Sequence, residues 1–264
     1  MADPAAFDVT YVINPHMEGN VGRVDRARAR PQWAALRDAY VRLGLAVDVL
    51  PAAEGLPDLV FTANQSFPIA DRRVVLMSRM HAEQRRAEVP LVEAWYAARG
   101  WRIAHLGEDV ADFEGMGDAL WHPGRRFVWG GYGFRSSLRA YEALSALADV
   151  PVVALSLRDP RFYHLDTCLA PLDAHTALYV EEAFDETGLR LLREGFERLI
   201  RVPIADAERF ACNGHCPDGE HFLVQAGCGV SREVAAAGFA VVELETDEFT
   251  KSGGSVFCMK MMVD

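Results

Sequence analysis

Cys258 closes the run Lys251-Ser252-Gly253-Gly254-Ser255-Val256-Phe257-Cys258, in which a glycine pair leads into a short apolar stretch. Glycine lets a backbone turn tightly and lets a ligand come close to it. A thiol presented just after such a turn can face a pocket, and once ionised it is a nucleophile. Chemistry-bearing residues gather again in Tyr163-His164-Leu165-Asp166-Thr167. His164 and Asp166 are two apart, which in a strand puts both on one face. Imidazole exchanges protons near neutral pH, and a carboxylate accepts paired hydrogen bonds from a planar cation. Glu114-Gly115-Met116-Gly117-Asp118 breaks an apolar region with two carboxylates and two glycines. Glu114 suits the orienting role of the third group in a nucleophile–base triad. Asn14, Asp58 and Asn64 stand at the margins of apolar segments, where turn residues also occur. Each feature has an ordinary reading: a buried inert thiol, a solvated loop, a structural His–Asp pair. Together they supply a nucleophile, an acid–base group and an orienting carboxylate. Several acids around one thiol suit a positively charged substrate better than an anionic one.

The bulk composition narrows the field. The chain has 264 residues, half of them hydrophobic, and a formal net charge of −11. That length buries a large core, and that charge argues against a generic nucleic-acid binder. No run of about 18 apolar residues is present, and Met1 to Ala6 is too short and too polar for a signal peptide. A membrane partner is therefore not expected. Five cysteines in a chain this long read as thiols of a reducing cytoplasm rather than a disulfide framework. Cys212, His215, Cys216, His221 and Cys228 offer a minor zinc reading, but a paired second knuckle is missing. Neither a metal nor a cofactor is expected, and homo-oligomerisation stays open.

Elements that would position these residues can be traced along the chain. Phe7 to Ile13 reads as a strand, Arg23 to Gly44 as a helix, and Leu45 to Leu50 as another strand. Four segments then share one plan of strand, polar turn and return strand. Their first strands are Asp58 to Asn64, Gly117 to Trp121, Leu165 to Leu169 and Arg209 to Cys212. Their returns are Val74 to Met77, Phe127 to Trp129, Thr176 to Val180 and His221 to Val224. Helical stretches Glu83 to Arg99, Ser136 to Leu147, Thr187 to Leu199 and Ser231 to Ala237 separate them. Ser255 to Met262 reads as a fifth strand. The recurrence, at roughly 50 residues, is repeat-architecture spacing. The expectation is one α/β domain over residues 1–264, closed into a ring of five ββαβ-like units. The N-terminal strand completes the last unit, and a cavity lies where the repeats converge.

At these residues the sequence resembles the guanidino-group-modifying enzymes: arginine deiminases, dimethylarginine dimethylaminohydrolases, amidinotransferases and arginine dihydrolases. The matching stretches are Pro57-Asp58 through Asn64, Phe113-Glu114-Gly-Met-Gly-Asp118, His164-Leu-Asp166-Thr167 and Ser252-Gly-Gly254 through Cys258, in the family's order. The resemblance implies a five-bladed α/β propeller with the active site on its axis. It also implies Cys258 as nucleophile, His164 as acid and base, and Glu114 orienting His164. Asp166, Asn64, Asn14, Asp118 and Asp58 would surround a guanidinium, and Arg135 and Arg85 would hold the substrate's carboxylate. Deiminases and dimethylargininases usually carry Asp where Asn64 stands. Tyr11 to Asn20, taken with Phe61-Thr62-Ala63-Asn64, is most similar to the arginine dihydrolase branch. The family reaction runs through an S-alkylthiouronium intermediate. Alternatives are a dimethylarginine dimethylaminohydrolase, an amidinotransferase, and a ribosome-associated factor with the same fold and no active-site thiol. The joint presence of Cys258, His164, Glu114 and Asp166 speaks against the last.

Overall fold

Short strands and tight turns dominate the computed structural model, which describes residues 1–263. Strand β1 (Ser66–Ile69) pairs antiparallel with β2 (Val74–Met77), and β3 (Arg102–Ala104) adds parallel to β2 after the helix Val89–Ala98. The same plan recurs in β4 (Ala119–Trp121), β5 (Val128–Tyr132) and β6 (Val152–Ser156), with the crossover helix Leu138–Ala148. It recurs again in β7 (Leu169–Pro171), β8 (Thr176–Tyr179) and β9 (Arg198–Arg201), with the helix Glu186–Gly195. A fourth sheet keeps only the parallel pair β10 (His221–Gln225) and β11 (Ala240–Leu244), and a single antiparallel bridge from His215 to Leu223 stands in for its first strand. Around the long helix Arg26–Arg42, all that remains of the plan is a parallel bridge between Ala2 and Leu50. The central strands β2, β5 and β8 are buried almost throughout, which explains their near-continuous apolar runs.

Helix limits follow local chemistry. The Asp25 carboxylate accepts from the Ala27 and Arg28 amides and starts the first helix there. Gly44, at φ +83°, ends it in the left-handed conformation. Expected Glu83 to Arg99 divides into a 3-10 turn, Glu83–Glu88, and the helix Val89–Ala98. Expected Thr187 to Leu199 stops at Gly195, because β9 follows.

The first strand of each expected hairpin needs correction. Asp58 to Asn64 holds the 3-10 turn Pro57–Val60, and its strand begins only at Ser66. Gly117 and Asp118 end the helical turn Gly115–Asp118, Leu165–Thr167 is a 3-10 turn, and so is Ala211–Asn213. Neither Phe7 to Ile13, nor 45–50 beyond its bridge at Leu50, nor Ser255 to Met262 forms a strand. Buried apolar turns and buried strands look alike in composition. The polar side chains of these turns bond residues far along the chain, as Asp58 does with Ser252 and Asp118 with Leu165.

Those turns are stitched into a closed cycle. Ala63 N–H donates to Cys258 O (3.1 Å), Phe257 N–H to Asn213 O (2.8 Å), and Met116 N–H to Ala63 O (2.8 Å). The Asn213 side-chain amide donates to Asp166 O (3.2 Å), and Leu165 N–H donates to the Asp118 carboxylate (3.0 Å). Gly131 in β5 permits part of this closeness, since a Cβ there would lie 2.8 Å from Leu165 Cβ.

Candidate active site

Cys258, His164, Glu114, Asp166, Asp118, Asp58 and Asn64 sit on, or within a few residues of, the stitched turns, whereas Asn14, Arg85 and Arg135 come from other segments. Cys258 is 3% exposed, and its Sγ–H donates to Asp166 Oδ2 at 3.1 Å. Burial first, then the Asp166 charge, pushes the thiol's pKa well up, which favours the protonated thiol. Burial likewise pushes the Asp166 carboxyl up to about 7. Its second oxygen, Oδ1, is buried with no hydrogen-bond partner among the described residues. A buried acceptor left open in this way suits an N–H that arrives with a ligand.

His164 Nε2 meets Glu114 Oε2 at 2.6 Å. Burial alone would raise Glu114, but the His164 hydrogen bond and the Arg135 charge outweigh it and hold the carboxylate well below its usual range. Arg135 Nη1 reaches Glu114 Oε2 at 3.2 Å, and the His81 amide donates to Glu114 Oε1 at 3.0 Å. The imidazole is thus paired with a fixed anion, the arrangement an acid–base histidine needs. Gly117 lets these groups crowd together: a Cβ there would lie 2.4 Å from Asn64 Nδ2 and 3.2 Å from His164 Nδ1.

The expected binding residues divide. Asp58, Asn64, Arg85, Arg135, Tyr163 and Cys258 all line one small cavity. Asp58 accepts from Tyr11 Oη (2.8 Å) and Ser252 Oγ (2.7 Å). Asn64 Oδ1 accepts from Arg85 Nη1 at 2.8 Å, which leaves its buried Nδ2 as an unpartnered donor. Asn14 also borders the cavity, but its side chain is spent on the amides of His16 and Met17 and on Ser252 O. Asp118 does not border it and instead carries the Leu165 amide. Both arginines are buried and border the cavity. Arg85 is bound to Glu88 (2.8 Å), Asn64 and two carbonyls, and Arg135 is bound to Glu114 and to Ile13 O. Their guanidinium groups hold up Asn64 and Glu114.

Asn213 was missing from the expectations. Its Nδ2 donates to Cys258 Sγ at 3.1 Å, and its Oδ1 accepts from the Ser255 and Cys258 amides. The repeat held the signal, since Asn213 occupies the turn that corresponds to those of Asp58, Asp118 and Asp166. Glu88, the buried anchor of Arg85, carried no such signal. Among the described residues no three His, Cys, Asp or Glu side chains gather as a metal cage. The cavity itself holds about 10 Å³, room for roughly one water, so a larger ligand requires its walls to part.

The family model described as N,N dimethylarginine dimethylhydrolase, eukaryotic, matches residues 17–263. A bifunctional arginine dihydrolase/ornithine cyclodeaminase of Nostoc is 38% identical over 100% of this chain, which spans 37% of that relative's length. An N(G),N(G)-dimethylarginine dimethylaminohydrolase of Mycobacterium tuberculosis is also 38% identical, over 100% of this chain and 84% of its own. Among solved structures, the substrate-bound N-terminal domain of a cyanobacterial arginine dihydrolase, ArgZ, superposes with a TM-score of 0.93 at 37% identity, covering 100% of this chain and 96% of that one. Sequence and architecture therefore agree that the chain belongs to the dimethylarginine dimethylaminohydrolase family of guanidino-modifying proteins.

Proposed function

We propose that this chain is a cysteine-dependent hydrolase of the guanidinium group of arginine, acting twice to give ornithine, ammonia and carbon dioxide. The carrying observation is the open Asp166 Oδ1 beside Cys258 Sγ, with the His164–Glu114 pair on the neighbouring turns. A guanidinium donating to Asp166 brings a positive charge to the thiol, which favours its ionisation. The sulfur attacks the guanidinium carbon and a C–N bond breaks. The nitrogen departs as ammonia with a proton from His164. Water, deprotonated by His164, then attacks the thiouronium carbon and expels the thiolate, leaving citrulline. A second round on the ureido carbon releases the second ammonia, and the resulting carbamate loses carbon dioxide.

Asn64 favours two rounds. Arg85 takes its oxygen, so what it turns toward the site is an N–H donor. Such a donor matches a ureido oxygen, which a carboxylate at that position would repel. The other reading, one round on methylated arginine with release of an amine, has the family model and the mycobacterial relative on its side.

The cycle of five turns also supports a single domain built as a five-bladed α/β propeller, with the site on its axis. Five unbridged, buried thiols accord with a cytoplasmic setting, and no helix among the described residues is long and apolar enough to cross a membrane. The covalent step is tested with the S-methylisothiourea analogue of arginine, whose leaving thiolate needs little acid assistance. In a His164→Gly variant the intermediate should accumulate, and intact-mass analysis should place it on Cys258. A Cys258 that stays unmodified under turnover conditions would overturn the mechanism.

A further inference from the structure

Lys260 is 2% exposed, and its ammonium has no hydrogen-bond partner among the described residues. Burying an unpaired ammonium is costly, and such groups are normally matched by an anion. Its Nζ rests 3.2 Å from the centroid of the Phe257 ring. It belongs to the turn that carries the nucleophile, with its own amide donating to Phe257 O at 3.2 Å. Asp166 acts on it through space, as does Cys258 once ionised, and these two touch each other.

We propose that Lys260 is a positioning residue for the nucleophile: its buried positive charge balances Asp166, so that the charge of an arriving guanidinium is left to balance the Cys258 thiolate. This inference rests on the reading above. Counting charge shows why the lysine matters. In the empty site Asp166 and Lys260 cancel, and the thiol is neutral. When the guanidinium enters, the thiol gives its proton to His164, and two anions then face two cations. Without Lys260 the same step would leave two like charges in contact with one cation between them, and the thiol would hold its proton more tightly.

Among the described residues no other cation takes this place. The facing groups are Asp166 on its turn, Cys258 on the lysine's own turn, and His215, which stacks edge-on against Phe257 and accepts or donates to Tyr40 of the first helix. Burial keeps the His215 imidazole neutral. Lys260 also lines a second, larger cavity of about 240 Å³, together with Tyr96 and Asp48. Arg85 and Arg135 are committed to Glu88 and Glu114. Burial pulls the Lys260 pKa down to about 7, against the pull of Asp166, so its charge is sensitive near neutral pH.

The test compares Lys260→Met with wild type, measuring iodoacetamide alkylation of Cys258 across pH 6 to 10, with Cys258→Ser as background. We expect the thiol's apparent midpoint to rise and alkylation to slow about tenfold near pH 6, where Lys260 carries its charge, with the difference shrinking above about pH 8. On arginine, kcat should fall about tenfold with KM within about threefold. Lys260→Arg should return the midpoint toward wild type. An unchanged midpoint and kcat in a folded Lys260→Met protein would overturn the proposal; if that variant does not fold, Lys260→Gln is read in the same way. Alkylation needs no substrate. An unmoved midpoint in a protein that turns over arginine refutes only the role of Lys260, whereas a wild type that turns over no guanidine refutes the functional reading.

Discussion

Asp166 and Cys258 share one proton across 3.1 Å, and the carboxylate's charge is part of what keeps the thiol protonated. Asp166→Asn removes that charge, so in the absence of substrate Cys258 should be alkylated about tenfold faster near pH 8 while arginine turnover is lost. Unchanged or slower alkylation would show that the carboxylate does not govern the thiol. Asn213 touches the sulfur and two amides of its turn. Asn213→Ala should cost about 1–3 kcal/mol in denaturant unfolding, as expected for buried amides left unpaired, and should slow turnover more than it weakens binding. At this scale the sequence showed Cys258, His164, Glu114 and Asp166, because each is a residue type with one obvious chemical use. Arg85 and Arg135 were visible as candidates, but that they also hold Asn64 and Glu114 was not. A guanidinium that holds a neighbouring side chain and one that meets a substrate carboxylate are the same letter, and only their partners tell them apart.

Turns, not strands, aim the site. His164 and Asp166 were expected on one strand face; they flank and occupy a 3-10 turn instead, and reach different partners, Glu114 and Cys258. The strand expectation failed because apolar composition does not separate a buried turn from a strand, whereas the return strands β2, β5, β8 and β10 were legible from unbroken apolar runs. Gly117 tests how tightly the turns must fit. Gly117→Ala places a methyl against Asn64 and His164, so activity should drop at least about tenfold with a stability loss of about 1–3 kcal/mol; wild-type activity would show that the turns have slack. The closed cavity calls for a moving wall. Ile13, Asn14 and Met17 form part of it, and the chain then passes through left-handed turns at Gly19 and Gly22. Amide exchange across 13–22 should slow when arginine binds to Cys258→Ser protein. Exchange unaffected by ligand would place the opening elsewhere.

The whole molecule carries an acid–base signature of its own. Burial raises Asp118 and Asp166 from 3.8 to about 7, so the folded protein keeps protons that the unfolded chain releases. Their contribution to stability is fully present below about pH 4 and is lost as the pH rises to about 7. Asp118→Asn keeps the acceptor for the Leu165 amide and removes the titration. Its stability should exceed that of wild type above pH 7, by on the order of 4 kcal/mol, and should match it near pH 4. A gain that does not depend on pH would contradict the origin assigned to it. The repeat was legible at this scale because its period survives errors in any one strand. The cycle of hydrogen bonds that joins the turns was not, since it depends on backbone amides that every residue carries alike.

The most direct test of the account is mass spectrometry of the products after separate incubation with arginine, asymmetric dimethylarginine and citrulline. Ornithine and ammonia from arginine, lost in Cys258→Ser, are the expected result. Citrulline and dimethylamine from the methylated substrate alone, with arginine untouched, would contradict it and transfer the assignment to methylated arginine.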